Sequence, residues 1–346
     1  MHAAQPPPLS AEPARLSAQS LLIAITRAGE RLVAVGDRGI VVLSDDHGAS
    51  WVQAAEVPTQ ALLTGVCFLD AQHGVAVGHD EVILTSADAG RTWKRRHYAP
   101  EAQRPLLDVW CGARGRVIAV GAYAAYLKSE DSGASWQESA FTPAAPRAAP
   151  AAARSARAGA GGRAGAVAVG GAAGTAAAGE GASGGYHLNR IVSATDTRLY
   201  IAAEAGHLYR SEDGGASWLT LGSPYEGSFF GVLPLAGETV LAFGLRGNLF
   251  RSEDAGSSWR RIDTGTVAML DGAARLESGA VAIVGLSGVV LVSRDGGRTF
   301  TLVQQADRAG LSAAVEAGNS RLAVVGEGGA KLISLSGARS SAGAGP

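Results

Sequence analysis

Six aspartates recur inside one eight-residue pattern, and carboxylates at fixed spacing are the first residues to test for chemistry. The copies read S-D-D-H-G-A-S-W (44–51), S-A-D-A-G-R-T-W (86–93), S-E-D-S-G-A-S-W (129–136), S-E-D-G-G-A-S-W (211–218), S-E-D-A-G-S-S-W (252–259) and S-R-D-G-G-R-T-F (293–300). The shared form is S-x-D-x-G-x-[ST]-[WF]. A glycine supplies the positive φ of a tight turn. A carboxylate two residues into such a turn accepts hydrogen bonds from the backbone N–H groups of its own loop, and the flanking hydroxyls act in the same way. The closing aromatic packs its ring under the turn. Catalytic groups are not repeated once per structural unit, so Asp46, Asp88, Asp131, Asp213, Asp254 and Asp295 are expected to lock turns.

The spacing of the boxes defines the elements that carry them. From serine to serine the intervals are 42, 43, 82, 41 and 41 residues. A period near forty residues fits one four-stranded propeller blade. Each box follows two short apolar runs separated by a Gly-bounded turn, as in Phe229–Leu233, Thr239–Phe243 and the turn at 244–247, which are hairpin signals. This lead-in occurs seven times: L-V-A-V-G (32–36), V-A-V-G (75–78), I-A-V-G (118–121), Y-I-A-A (200–203), L-A-F-G (241–244), A-I-V-G (282–285) and A-V-V-G (323–326). The last unit ends in K-L-I-S-L (331–335) without a box. The expected fold is all-β, a seven-bladed β-propeller with the boxes in the turns between third and fourth strands.

The doubled interval is read as an insertion within a seven-unit ring, since the fourth lead-in, starting at His187, is complete in itself. Residues 142–185 are rich in Ala, Gly and Arg and offer little apolar bulk to offset the entropy of ordering, so they are expected to be disordered. The chain then divides into an N-terminal segment (1–19), blades 1 to 3 (20–141), the insertion (142–185), blades 4 to 7 (186–335) and a loose tail (336–346). The last unit offers three strands, and Ala14–Ala18 is the available donor of a fourth that would close the ring and protect its edges.

Bulk properties exclude several classes. The 346 residues carry a net charge of −1, so no global field recruits nucleic acid. No run of eighteen apolar residues is present, so no transmembrane segment of its own is expected. The start, M-H-A-A-Q-P-P-P-L-S, shows no secretory signal. No H-x-H, C-x-x-C or H-E-x-x-H spacing supports a metal, and no cofactor is expected. His79 and His187 are accordingly read as surface or hydrogen-bonded residues. Cys67 and Cys111 lie on the first strands of neighbouring units, one residue out of phase and hence on opposite faces. A disulfide is compatible with that placement; two buried thiols are the expectation.

Binding on rigid scaffolds resides in variable loops. In a propeller with strands a to d counted outward, the boxes occupy the face of the c–d turns. The b–c turns lie on the opposite face and differ from unit to unit. They carry Asp37 and Arg38, His79, Tyr123, Glu204 and Arg246, while the first strands contribute Thr64, Asp108, Asn189, Arg190, Asp271 and Ser312 nearer the channel mouth. Arg38, Arg190 and Arg246, from units one, four and five, are the candidate cationic contacts for a partner, with Asp37, His79, Tyr123 and Glu204 beside them.

The boxes are Asp boxes, also called bacterial neuraminidase repeats. Together with L-V-A-V-G-D-R-G, G-V-A-V-G-H-D and P-L-L-D-V-W, the seven lead-ins resemble the photosystem II stability/assembly factor family of seven-bladed propellers over residues 20–335, apart from the insertion. The resemblance implies a non-enzymatic, monomeric, periplasmic or otherwise extracytoplasmic protein that binds a membrane-protein complex or its subunits during assembly through an arginine patch. The competing reading is an Asp-box glycosidase, sialidase- or endoglucanase-like. Arg38, Arg190 and Arg246 with Tyr225 and Glu226 offer parts of a sialidase site, but no F/Y-R-I-P segment accompanies them. Asp108 and Asp271 are the candidate carboxylate pair of a two-carboxylate hydrolase.

Overall fold

The computed structural model describes residues 9–145, 185–318 and 320–335. Seven antiparallel sheets, six of four strands and one of three, follow one another in chain order. Their first strands are Leu22–Ala28, Leu63–Phe68, Leu106–Cys111, Leu188–Ser193, Phe229–Pro234, Leu270–Arg275 and Leu311–Glu316. Each of these packs beside the next, and the last packs beside the first, so the sheets form a closed ring of seven blades around a channel. The second strands, such as Val75–Gly78 within Gly74–Gly78 and Val281–Gly285, are buried along their whole length because both faces meet a neighbouring blade. The core is therefore a series of apolar clusters at blade junctions, for example Leu241, Phe243 and Leu249 against Leu270, Val281 and Ile283.

Near its start every inner strand carries a register shift, as between Leu63 and Gly65, Leu188 and Arg190, and Leu270 and Gly272. A bulge of this kind bends the strand and re-aims one side chain. Thr64, Asn189 and Asp271 occupy such positions. Thr64 Oγ1 donates to Leu106 O of the next blade (2.7 Å), and Asn189 Nδ2 donates to Phe229 O (2.8 Å). Arginines on the Asp-box face make further links in the same direction round the ring. Arg31 donates to Ala89 O (3.1 Å), Arg116 to Asp196 O (2.9 Å), Arg210 to Ala255 O (2.7 Å), Arg251 to Gly296 O (3.1 Å) and Arg294 to Leu335 O (3.0 Å).

The N-terminal segment departs from expectation. It adds no strand to the seventh blade, whose sheet has only its own three strands. Residues 17–19 instead form a single 3-10 turn that lies against Gly329–Ser334. Residues 10–14 are held by the first blade through Ala11 N–H to Val57 O, Ala14 N–H to Gln53 Oε1, and Gln53 Nε2 to Glu12 O. A 3-10 turn at this point aims the backbone away from the ladder, so pairing is lost. Closure comes from packing: Leu22, Ile25, Leu32 and Val42 of the first blade share a cluster with Ala313, Ala323 and Val325 of the last.

The expected insertion, 142–185, lies almost wholly outside the described residues. Its first positions are described and paired: Ala144 bridges Leu219, exchanging bonds with Trp218 O (2.8 Å) and Thr220 N–H (2.9 Å). The expected boundary is therefore corrected to beyond residue 145. Phe141, just before it, packs among Tyr126, Tyr209 and Trp218.

The cysteines are also corrected: Cys67 and Cys111 form a disulfide, with Cα atoms 5.7 Å apart. Being one residue out of phase on adjacent blades places the two side chains face to face across the junction, within the span of about 4.4–6.8 Å that a disulfide bridges.

Candidate partner-binding face and channel

The Asp boxes are built as turn locks. In the first, Ser44 Oγ donates to Asp46 Oδ1 (2.8 Å), and the same carboxylate accepts Ser50 N–H (2.8 Å) and Ser50 Oγ (2.6 Å). Gly48, at φ +87°, turns its N–H onto Ser44 Oγ (2.7 Å). The other five repeat these contacts, with the hydroxyl bonds of Asp88, Asp131, Asp213, Asp254 and Asp295 at 2.5–2.9 Å. The Ser50 hydroxyl, then Ser50 N–H and the Ser44 hydroxyl, hold Asp46 down to about 2, and Asp131 sits at about 2 for the same reasons. A carboxylate so saturated with donors has no lone pair directed at a substrate.

On the opposite face the b–c turns are three-residue 3-10 turns in blades 1, 2, 3, 5 and 6, and their central residues are left-handed: Arg38 (φ 50°), Asp80 (59°), Tyr123 (54°), Arg246 (56°) and Ser287 (57°). Glycine takes this region freely and other residues at a cost. The side chains at these tips point into solvent. Arg38 keeps 84% of its side chain exposed, its nearest acid being Asp37 at 3.7 Å, and Arg246 is exposed as well. Arg38 and Asp37 line a groove of about 520 Å³ with Glu12, Ser20 and Gln60. His79 is exposed at the blade 2 turn.

At the junction of blades 3 and 4, Tyr123, Glu204 and His187 come together. The Tyr123 and His187 rings meet edge to face at 4.9 Å. Glu204 accepts His187 N–H (3.0 Å) and lies 3.2 Å from His187 Nδ1. Tyr186, 47% exposed, stacks on His207 at 3.9 Å. Tyr186 and His207 were absent from the sequence-derived candidates. The usable signal was the return of aromatic residues in Y-H-L-N after the Ala/Gly stretch.

Arg190 belongs elsewhere. It lines the channel, with Nε 3.9 Å from Asp108 Oδ2 and Nη2 3.8 Å from Asp271 Oδ1. The two carboxylates proposed as a hydrolytic pair therefore share one guanidinium. Asp108 is buried, and its Oδ2 also accepts Ile191 N–H from the next blade at 2.9 Å. Burial pushes Asp108 up, against the pull of Arg190. Burial likewise raises Asp271, to about 6, with Arg190 again opposing, although 23% of its side chain remains open to the channel. The cavity around Arg190, Asp271, Phe243 and Ala313 holds about 130 Å³, below the roughly 300–1,000 Å³ of pockets that take small organic ligands. Among the described residues, no group of three or more His, Cys, Asp and Glu could hold a metal ion. No helix there is long and apolar enough to cross a membrane.

Fold and site together define an all-β, seven-bladed Asp-box propeller with a small charged channel and a variable b–c face. Residues 43–152 match the family model described as photosynthesis system II assembly factor YCF48, which bears out the resemblance read from the repeats. Two solved YCF48 structures share the fold. One, bound to a D1 peptide, is 14% identical, covers 95% of this chain and 97% of its own, and has a TM-score of 0.65. The other, from Cyanidioschyzon merolae, is 18% identical, with coverage of 91% and 95% and a TM-score of 0.64. The GH74 enzyme of Niastella koreensis is 14% identical, with coverage of 91% and 52% and a TM-score of 0.62. Among curated proteins nothing matches.

Proposed function

We propose that this protein is a non-catalytic binding scaffold that engages a subunit of a membrane-protein complex during assembly, through the b–c face, in an extracytoplasmic compartment. The observation that carries the reading is the family match over residues 43–152, joined to a structural relative whose bound ligand is a D1 peptide. The channel supports the same reading: its carboxylates are engaged by Arg190 and by backbone, and its cavity is small. The Cys67–Cys111 disulfide supports the compartment, because such bonds persist where the surroundings are oxidising.

Of the three arginines first considered, Arg38 and Arg246 stand free on the b–c face and Arg190 serves the channel. Charge-assisted bonds from arginine to carboxylate or phosphate are strong, and exposed ones are screened by salt. The test is co-purification from membranes with crosslinking, comparing wild type with Arg38→Gly plus Arg246→Gly. Capture should fall at least fivefold in the double variant, and wild-type capture should weaken as salt rises. Undiminished capture moves the interface off this face. Cleavage of a sialoside or β-glucan by the wild type, abolished by Asp108→Asn or Asp271→Asn, favours the glycosidase reading instead.

A further inference from the structure

The seventh blade lacks two things that its siblings possess. Its sheet stops at the third strand, Gly329–Ser334, where each of the other six blades adds a fourth. The bond from Leu335 N–H to Ser320 O (3.0 Å) sets the parity of the ladder. The N–H and C=O groups of Ala330 and Leu332 consequently point away from the second strand, to the side where a fourth would lie. The N-terminal 3-10 turn covers only the Gly329 end, where Ala18 O sits 2.0 Å from the position of a Cβ on Gly329.

The second deficit is electrostatic. The second strands of blades 1 and 7 begin alike, R-L-V-A-V-G (31–36) and R-L-A-V-V-G (321–326). In blade 1, Arg31 is clasped by Asp45, which stands just past the end of the third strand, at 2.6 Å and 2.8 Å. In blade 4, Arg198 is clasped by Glu212 in the same place, at 2.9 Å. Blade 7 has Ser334 and Leu335 there, and neither is acidic. Arg321 Nε is buried without a hydrogen-bond partner, and no carboxylate among the described residues lies within ion-pair distance of it. A buried charged donor left unpaired is costly. The chain's own remaining terminal residues, M-H-A-A-Q-P-P-P (1–8) and S-G-A-R-S-S-A-G-A-G-P (336–346), contain no Asp or Glu side chain that could serve.

We infer that the open edge at Ala330–Leu332 and the orphaned Arg321 form one docking site. Its occupant is an extended segment of a partner protein that adds as an antiparallel fourth strand. The segment carries an Asp or Glu at its amino-terminal end, because in the sibling blades the acid precedes the fourth strand. Edge pairing supplies affinity through backbone bonds, and the carboxylate supplies specificity. The inference rests on the binding-scaffold reading but concerns a surface separate from the b–c tips.

The test is fluorescence anisotropy with a labelled probe, acetyl-Glu-Gly-Val-Thr-Val-Thr-amide, and its counterpart with Gln in place of Glu. Proteins compared are the full chain, a chain ending at Leu335, Ala330→Pro, and Arg321→Gln. Proline at Ala330 removes one outward N–H and leaves the inner ladder intact. Saturable binding of the Glu peptide is expected, at least tenfold weaker for Ala330→Pro, for Arg321→Gln and for the Gln peptide. The peptide exchange needs no protein variant and holds even if a substitution impairs folding. Absence of saturable binding, or equal binding of both peptides, overturns the proposal. Binding only to the chain ending at Leu335 gives the edge to the C-terminal segment and also overturns it. Arg38→Gly plus Arg246→Gly should leave peptide binding unchanged, so failure here is distinguishable from failure of the b–c interface.

Discussion

At the scale of single residues, carboxylates in this molecule titrate in opposite senses, and pH separates them. Asp46 and Asp131 lie near 2 when folded, below the value of about 3.9 expected unfolded. Their contribution is complete above pH ~4 and is lost as pH falls through ~2. Asp271 lies near 6 when folded, above its unfolded value, so stability falls as pH rises from ~4 and levels off above ~6. Asp271→Asn removes that penalty. Its Tm relative to wild type should be higher at pH 7.5 than at pH 4.5, by roughly 2–8 °C. A pH-independent difference by differential scanning fluorimetry contradicts the placement of Asp271 beside Arg190. Arg190→Ala has a different outcome: two carboxylates deep in the channel lose their shared cation, and a loss of about 3–5 kcal/mol in chemical denaturation is expected.

At the scale of elements, the b–c turns and the disulfide make contrasting predictions. Arg38 and Arg246 hold left-handed conformations that glycine takes more readily. Arg38→Gly and Arg246→Gly should therefore leave Tm unchanged or slightly raised while capture of the partner falls. A drop of several degrees in Tm indicates that these tips have a structural role instead. The Cys67–Cys111 bond closes a sequence separation of 44 residues between neighbouring inner strands. Loops of that size correspond to about 3–4 kcal/mol. Cys67→Ser plus Cys111→Ser should lower the denaturation midpoint accordingly, as should reduction of the wild type by dithiothreitol.

At the scale of the whole molecule, the described residues complete seven sheets without any contribution from 146–184. Replacing that stretch by a short Gly/Ser linker should leave the ring intact, with Tm within about 4 °C of wild type, equivalent to roughly 1 kcal/mol. Unfolding on deletion contradicts a ring made by these seven sheets alone. Removing residues 1–16 tests how the ring closes. The first and last blades already meet through Leu22, Leu32, Ala313 and Val325, and the segment contributes no strand. The truncated chain should therefore stay folded, with circular dichroism unchanged.

Local repetition determined the architecture before any coordinates. Each Asp box is satisfied by atoms within four residues of its own aspartate, so its turn is written in the order Ser, Asp, Gly, Ser/Thr. Seven lead-ins with buried second strands determined the blade count for the same reason. What the sequence left open depends on residues far apart along the chain. Arg190 lies 82 positions from Asp108 and 81 from Asp271, and only ring geometry brings the three side chains together. The disulfide required the facing of two blades, which phase along the strands permitted but did not require. The closing strand expected at 14–18 failed because a 3-10 turn at 17–19 has the composition of many strands and is decided by its contacts with Gly329 and the first blade. Arg321 appears in sequence as a copy of Arg31. Only the tertiary structure reveals that its carboxylate is missing, because an ion pair depends on where two chains of atoms end in space.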